Sequence, residues 1–145
     1  MSDNTNNKVL VLGGGLIGAE TANAISKSGY QVSLATADSD VGVQEELDLR
    51  QQLKCEGSDI FLSAIEKVKS NNSVEILTNS TVSQVSGIAG DFNIAFKQDG
   101  TLVEKPFGAV VVTSDLKISD YKAAYGLKDA KNVVSIKELE EMVAS

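Results

Sequence analysis

Lys8-Val9-Leu10-Val11-Leu12-Gly13-Gly14-Gly15-Leu16-Ile17-Gly18 is the stretch whose reading settles how the rest of the chain is organised. Its first five residues are a mainly apolar run closed by glycine, the pattern of a strand covered on both faces. A helix from Leu16 to Ser28 follows, with Ile17, Thr21, Ala24 and Ile25 along one side, and Gly29 ends it in the usual way. Gln31 to Thr36 then reads as a second strand. The local order is strand, glycine turn, helix, strand.

Three glycines spaced as Gly13, Gly15 and Gly18 are a weak signal alone, but this strand–turn–helix–strand setting is the one that gives them meaning. They point to a Rossmann-type dinucleotide-binding turn. In that reading Gly13 permits the tight turn, Gly15 lets a pyrophosphate approach the backbone, and Gly18 lets the helix lie close on the strand. The helix start at Leu16 then offers unpaired N–H groups and a partial positive charge to phosphate. The same spacing also serves as a plain tight turn with no ligand. The second half of such a site is a carboxylate at the end of strand two, which grips ribose hydroxyls. Thr36 stands at that position. Asp38, two residues on, lies about 6.6 Å further along an extended strand and reaches the ribose only if the loop curls back. Otherwise Asp38 and Asp40 are a solvated acidic loop. No Lys or Arg falls between Gln31 and Glu46 to meet a 2′-phosphate.

Working outward, Val41 to Lys54 reads as a weak helix. Ile60, Phe61, Ala64, Ile65 and Val68 fall at helical spacing, with Ser58 as N-cap. Val74 to Thr78 reads as a third parallel strand. Thr81–Val85, Asp91–Lys97 and Thr101–Lys105 read as short strands of an antiparallel meander laid against the sheet, with Asp99-Gly100 as a hairpin turn. Gly108–Thr113 returns as a buried strand, and Asn132–Val134 as a last one. Ser135-Ile136-Lys137-Glu138 has the spacing of a capping box opening a final helix. The expected architecture is α/β: one Rossmann-like FAD/NAD-binding domain over residues 1–145, doubly wound, its parallel sheet carrying an inserted antiparallel β-meander.

Composition sets limits on the chemistry. The chain has 145 residues, a net charge of −7 and 42% hydrophobic residues, enough for one domain with its own core. The acidic balance argues against nucleic acid and anionic lipid as partners. The apolar run at Ala109–Val112 is far too short to span a bilayer, and the polar N-terminus shows no signal peptide. A cytoplasmic location is expected. There is no His and one Cys, so no histidine base or triad and no cysteine-ligated metal site is available. Any redox chemistry must come from a bound organic cofactor. Glu45 and Glu46 read as solvent-exposed helix charges, so no catalytic residue is assigned.

With these residues in view, the chain resembles the N-terminal flavin-binding part of the heterodisulfide reductase A family. It is similar also to components of the quinone-interacting membrane-bound oxidoreductase. The likeness runs from Lys8 to Val143. It is carried by Val9–Gly15, by Leu47–Ile65 around Cys55, and by Val74–Ser80 with Val82–Gly87, Gly90 and Phe92. Val110–Thr113, Tyr125-Gly126 and Asn132–Ser135 complete it. The resemblance implies FAD as cofactor in the parent family, with NAD less favoured, while flavin binding by this chain alone is expected to be weak or absent. It also implies electron transfer with iron–sulfur or disulfide-reducing subunits of a larger complex. Phosphate would meet Gly13, Gly15, Leu16 and Gly18, with Thr36 and Asp38 near the ribose. Several features depart from the family. Thr36 replaces its acid, Cys55 stands where two cysteines lie, and Lys97–Phe107 is a short hairpin where many members insert an iron–sulfur region. Thr113-Ser114-Asp115 replaces a glycine-ended strand. The chain also ends before the region that holds the flavin ring, as expected of a fragment or a reduced relative that is not active alone. The competing expectation is a degenerate Rossmann domain that serves as a non-catalytic scaffold.

Overall fold

The strand that opens the glycine turn lies at the centre of the molecule. β1 (Lys8–Leu12) is flanked in parallel by β2 (Gln31–Ala35) and β7 (Ala109–Val112), and β3 (Val74–Leu77) extends the sheet beyond β2. The structure, a computed structural model, describes residues 6–42, 58–113, 126–127, 132–134, 138–139 and 142–143. Register is set so that Leu10 lies opposite Ser33 and Val110, and Leu12 opposite Ala35 and Val112. β1 buries Val9, Leu10 and Val11, which is why it reads as an apolar run. β7, expected to be buried, is half-buried at Val110 and Val111 and exposed at Ala109 and Val112, since it pairs only with β1 among the described strands.

Alternation along each strand divides the core into two layers. Val11, Val32, Leu34 and Val74 face the helices α1 (Leu16–Lys27) and α2 (Ser58–Lys69), where Ala19, Ala22, Phe61, Ala64 and Val68 close the packing. Leu10, Ala35 and Leu77 face the opposite way, onto Ile94, Phe96 and Phe107 of the meander. Phe96 and Phe107 meet edge to face, their centroids 6.2 Å apart, a favoured aromatic geometry. The meander is β4 (Ser80–Ile88), β5 (Asp91–Gln98) and β6 (Thr101–Phe107), antiparallel in the order β4-β5-β6.

The α/β class, the parallel sheet and the inserted meander are as expected. The meander lies against the sheet as expected: among the described residues α1 and α2 cover one face and the antiparallel sheet covers the other. The reason lies in β5 and β6, whose inward residues Phe92, Ile94, Phe96 and Phe107 supply the apolar surface that helices would otherwise bring. Strand ends shift. The meander strands run longer than their apolar residues suggested, because hairpin pairing continues through polar positions. Val41 and Gly42 are bends rather than the start of a helix, and the remainder of that expected helix lies outside the described residues. Asn132–Val134 is a turn followed by unpaired backbone, not a strand: three residues have too little length to hold a ladder without a strong partner. Of the final helix, Glu138, Leu139, Met142 and Val143 are helical, and Ser135–Lys137 lie outside the described residues.

Candidate functional site

The glycine turn is held by its neighbours through backbone groups. Gly13 has φ 124°, a conformation that side chains oppose, and its N–H donates to the Ala35 carbonyl at 2.9 Å. A Cβ on Gly18 would stand 1.8 Å from the Gly13 carbonyl oxygen and 3.0 Å from Thr113 Oγ1. Gly18 is therefore the contact that seats α1 against the turn, as its spacing suggested. Thr113 secures the far side, its N–H and hydroxyl both donating to the Leu12 carbonyl at 2.8 and 2.9 Å. Gly15 is the N-cap of α1 and makes no side-chain capping bond, and the first helical turn holds no acidic residue. The N–H groups of Leu16, Ile17 and Gly18 thus have no intrahelical acceptor. They carry the positive end of a twelve-residue helix, equivalent to about half an elementary charge.

Gly14, which the three-glycine spacing leaves unassigned, is equally constrained. A Cβ there would lie 2.8 Å from both Cβ and Oγ1 of Thr36. Its carbonyl accepts the Gly42 N–H at 2.9 Å. Both contacts are long-range, so the only sequence trace of them is Gly14 itself.

Thr36 is buried, with 4% of its surface exposed. Its hydroxyl donates to Asp38 Oδ2 at 3.1 Å and accepts the Asp38 N–H at 3.2 Å. The estimate of Asp38's distance from an extended strand is corrected here. β2 ends at Ala35, and residues 37–42 bend, so the exposed Asp38 carboxylate folds back onto Thr36 beside Gly14. The start of the meander locks this corner: Ser80 N–H donates to the Thr36 carbonyl and Asn79 N–H to that of Asp38, both at 2.8 Å. Asp40 has a different task. It accepts from Lys69 at 2.6 Å and from the Val41 N–H at 2.7 Å, and these bonds, Lys69 first, hold its carboxyl below the ordinary value. The acidic loop therefore divides into one structural carboxylate and one presented next to the turn.

Gly13, Gly15, Leu16, Gly18, Thr36 and Asp38 thus meet at the carboxyl ends of β1 and β2, where open α/β sheets bind ligands. The fit for a dinucleotide is good at two points: a cationic helix start for the pyrophosphate and a presented carboxylate for a ribose diol. Cys55 and Asp115 lie outside the described residues. A shallow concavity of about 200 Å³ opens at the other end of the sheet, lined by Lys8, Gln31, Ser33, Asn72 and Glu75 among others. There Glu75 accepts from Ser33 at 2.9 Å and pairs with Lys105 of β6. Burial raises the Glu75 carboxyl, but the bonds from Lys105 and Ser33 and the charges of Lys105 and Lys8 outweigh it, leaving it below its ordinary value. This is a polar strut between the two sheets. It lies far from the strand ends that form the turn. Among the described residues no group of His, Cys, Asp and Glu is placed to hold a metal ion, and no helix is long and apolar enough to cross a membrane.

Comparison with known proteins agrees with this geometry. A heterodisulfide reductase A-like protein of Archaeoglobus profundus is 31% identical over 98 residues, covering 67% of this chain and 14% of that protein. Thioredoxin reductase of Lactococcus lactis superposes with a TM-score of 0.60 at 17% identity, covering 88% of this chain and 39% of the other. An L-proline dehydrogenase of P. horikoshii gives 0.58 at 20% identity, covering 72% and 22%. The chain therefore spans a minor part of each relative's length. Residues 1–114 match the family described as pyridine nucleotide-disulphide oxidoreductase. The chain belongs to that family, as a dinucleotide-binding domain of Rossmann-like fold.

Proposed function

We propose that the chain is the FAD-binding module of a heterodisulfide reductase A-like electron-transfer flavoprotein. The observation that carries this reading is the joining of two halves of a site: an uncapped helix start behind Gly13–Gly18, and the Asp38 carboxylate held beside it by Thr36. The Leu16, Ile17 and Gly18 N–H groups bind pyrophosphate oxygens. Gly15, lacking a side chain, lets the phosphates come close, and Asp38 accepts from the adenosine ribose hydroxyls. The same carboxylate repels a 2′-phosphate, which disfavours NADP. Flavin, when bound, supplies the one- and two-electron chemistry, and the protein's own groups only bind and orient it. Electron exchange is with iron–sulfur or disulfide-reducing subunits in the cytoplasm, and neither nucleic acid nor direct membrane insertion is involved.

Thr36 in place of a strand-end acid favours a second reading, a degenerate domain retained as a scaffold. Calorimetric titration separates the two. FAD, NAD and ADP-ribose are each titrated into wild type and Gly15→Val, with circular dichroism to show that the variant folds. The module reading predicts saturable binding by wild type, in the micromolar range, and none by the variant. Absence of binding to folded wild type at millimolar ligand supports the scaffold and ends the module reading.

A further inference from the structure

An adenine dinucleotide held at this site has one end still without a partner on the chain. The order phosphate, ribose, base is fixed by covalent bonds. The phosphates would lie at the end of β1, over Gly13–Gly18, and the ribose at Asp38, past the end of β2. The sheet runs in the order β3-β2-β1-β7, so the next step in the same direction, about 4.8 Å, reaches the end of β3. β3 stops at Leu77 and β4 starts at Ser80. Thr78 and Asn79, the link between them, stand where the base would come to lie.

Asn79 is the residue of that link equipped to meet it. Its N–H donates to the Asp38 carbonyl at 2.8 Å, so it stands against the residue that would take the ribose. It is exposed, and among the described residues its carboxamide has no hydrogen-bond partner. The polar groups around it are engaged. The Ser80 hydroxyl donates to the Thr78 carbonyl at 2.8 Å, and the Thr36 hydroxyl donates to Asp38 at 3.1 Å. Thr78 is half-buried and offers a single hydroxyl. The φ of Asn79 is 49°, a conformation that glycine takes freely and asparagine takes better than most side chains. A glycine variant therefore removes the carboxamide and keeps the backbone as it is.

We propose that Asn79 reads the base, its Oδ1 accepting from the adenine 6-amino group and its Nδ2 donating to the neighbouring ring nitrogen. The inference rests on the dinucleotide site proposed above and adds the residue that sets its base specificity. Adenine presents a donor and an acceptor side by side and carries no charge. A carboxamide presents the complementary pair, the bidentate match that Asn and Gln make with adenine. A carboxylate would meet only the donor and an ammonium only the acceptor, and either would have to shed water from a charge to do so. The pair of bonds is worth about tenfold in affinity.

Calorimetric titration with ADP-ribose and with its ethenoadenine derivative tests this. In the derivative a two-carbon bridge removes the amino donors and blocks the ring nitrogen beside them. Wild type should bind ADP-ribose about tenfold tighter than the derivative. Asn79→Gly should bring that ratio near one by weakening ADP-ribose alone. Asn79→Asp, which keeps the size of the side chain and loses the Nδ2 donor, repeats the test if circular dichroism shows that the glycine variant does not fold. Asp38→Asn should weaken both ligands and leave the ratio as in wild type. A wild-type ratio near one, or one that a folded Asn79 variant leaves unchanged, overturns the assignment of Asn79 while the site itself stands. No binding of ADP-ribose to folded wild type overturns the site reading and this inference with it.

Discussion

Gly18→Ala asks whether α1 is seated on the glycine turn as described. The added Cβ would be 1.8 Å from the Gly13 carbonyl oxygen and 2.9 Å from its carbon. A relaxed carbon–oxygen contact is about 3.3 Å, so α1 must retreat by about 1.5 Å. Backbone cannot swing aside as a side chain can, and Ala19 and Ala22 are both 0% exposed, so the retreat opens the helix–sheet core. Overpacking of this severity costs about 3 kcal/mol. The gain from alanine's better helix propensity is about 1 kcal/mol. The net loss is about 2 kcal/mol, a fall in Tm of about 4–8 °C for a chain of this size. Urea and thermal unfolding measure it, with Gly29→Ala as the comparison. A Cβ at Gly29 meets nothing within 4 Å, and only its φ of +89° opposes it, at a cost of about 1–2 kcal/mol. A Gly18→Ala chain as stable as wild type, or more so, refutes the packing argument.

Three further outcomes follow from the same geometry. Gly14→Ala destabilises by about 1–3 kcal/mol through its 2.8 Å contact with Thr36, and Thr36→Ala in the same chain restores part of the loss. Additive effects in that double-mutant cycle contradict the contact. Asp38→Asn weakens ADP-ribose binding about tenfold to a hundredfold, the worth of a charged hydrogen bond, and leaves binding of a 2′,3′-dideoxy analogue unchanged. Equal losses for both ligands argue against a ribose contact. Because the folded Glu75 carboxyl lies below its ordinary 4.5, its ionised form contributes stability above that pH. The contribution is lost as pH falls through the lowered value. The stability difference between wild type and Glu75→Gln is then constant above about pH 5 and shrinks below 4.5, and a gap that widens on acidification reverses the assignment.

How much of this was legible in the sequence depends on how local each cause is. Val9–Leu12 and Gly13 follow from a buried strand and a positive φ, both short-range signals. The helix face read as Ile17, Thr21, Ala24 and Ile25 does not hold: Ile17 and Ala24 are exposed, and α1 buries Gly18, Ala19, Ala22 and Asn23 instead, because the close approach at Gly18 turns that side to the sheet. The site's corner does not follow from short-range signals either. Thr36 reads as the loss of an acid, because the return of Asp38 onto its hydroxyl depends on bends at residues 37–42 and on bonds from Asn79 and Ser80, some forty residues away. Gly14 is held by Thr36 and by the Gly42 N–H, both distant in the chain. The Glu75–Lys105 strut escaped notice for a like reason, since it joins strands that are neighbours only once the meander folds over the sheet. The meander's place against the sheet was legible, because Phe92, Ile94, Phe96 and Phe107 supply the apolar side that it turns to the parallel strands.

The central claim, that a dinucleotide binds at the carboxyl ends of β1 and β2, is tested most directly by locating the ligand on the chain. In an amide chemical-shift titration of the isotopically labelled chain with ADP-ribose and then FAD, saturable changes should centre on Gly13–Gly18 and on Thr36–Asp38. The concavity at Lys8, Gln31 and Glu75 should stay still. Changes confined to that opposite end, or none at millimolar ligand in the folded chain, would contradict the account.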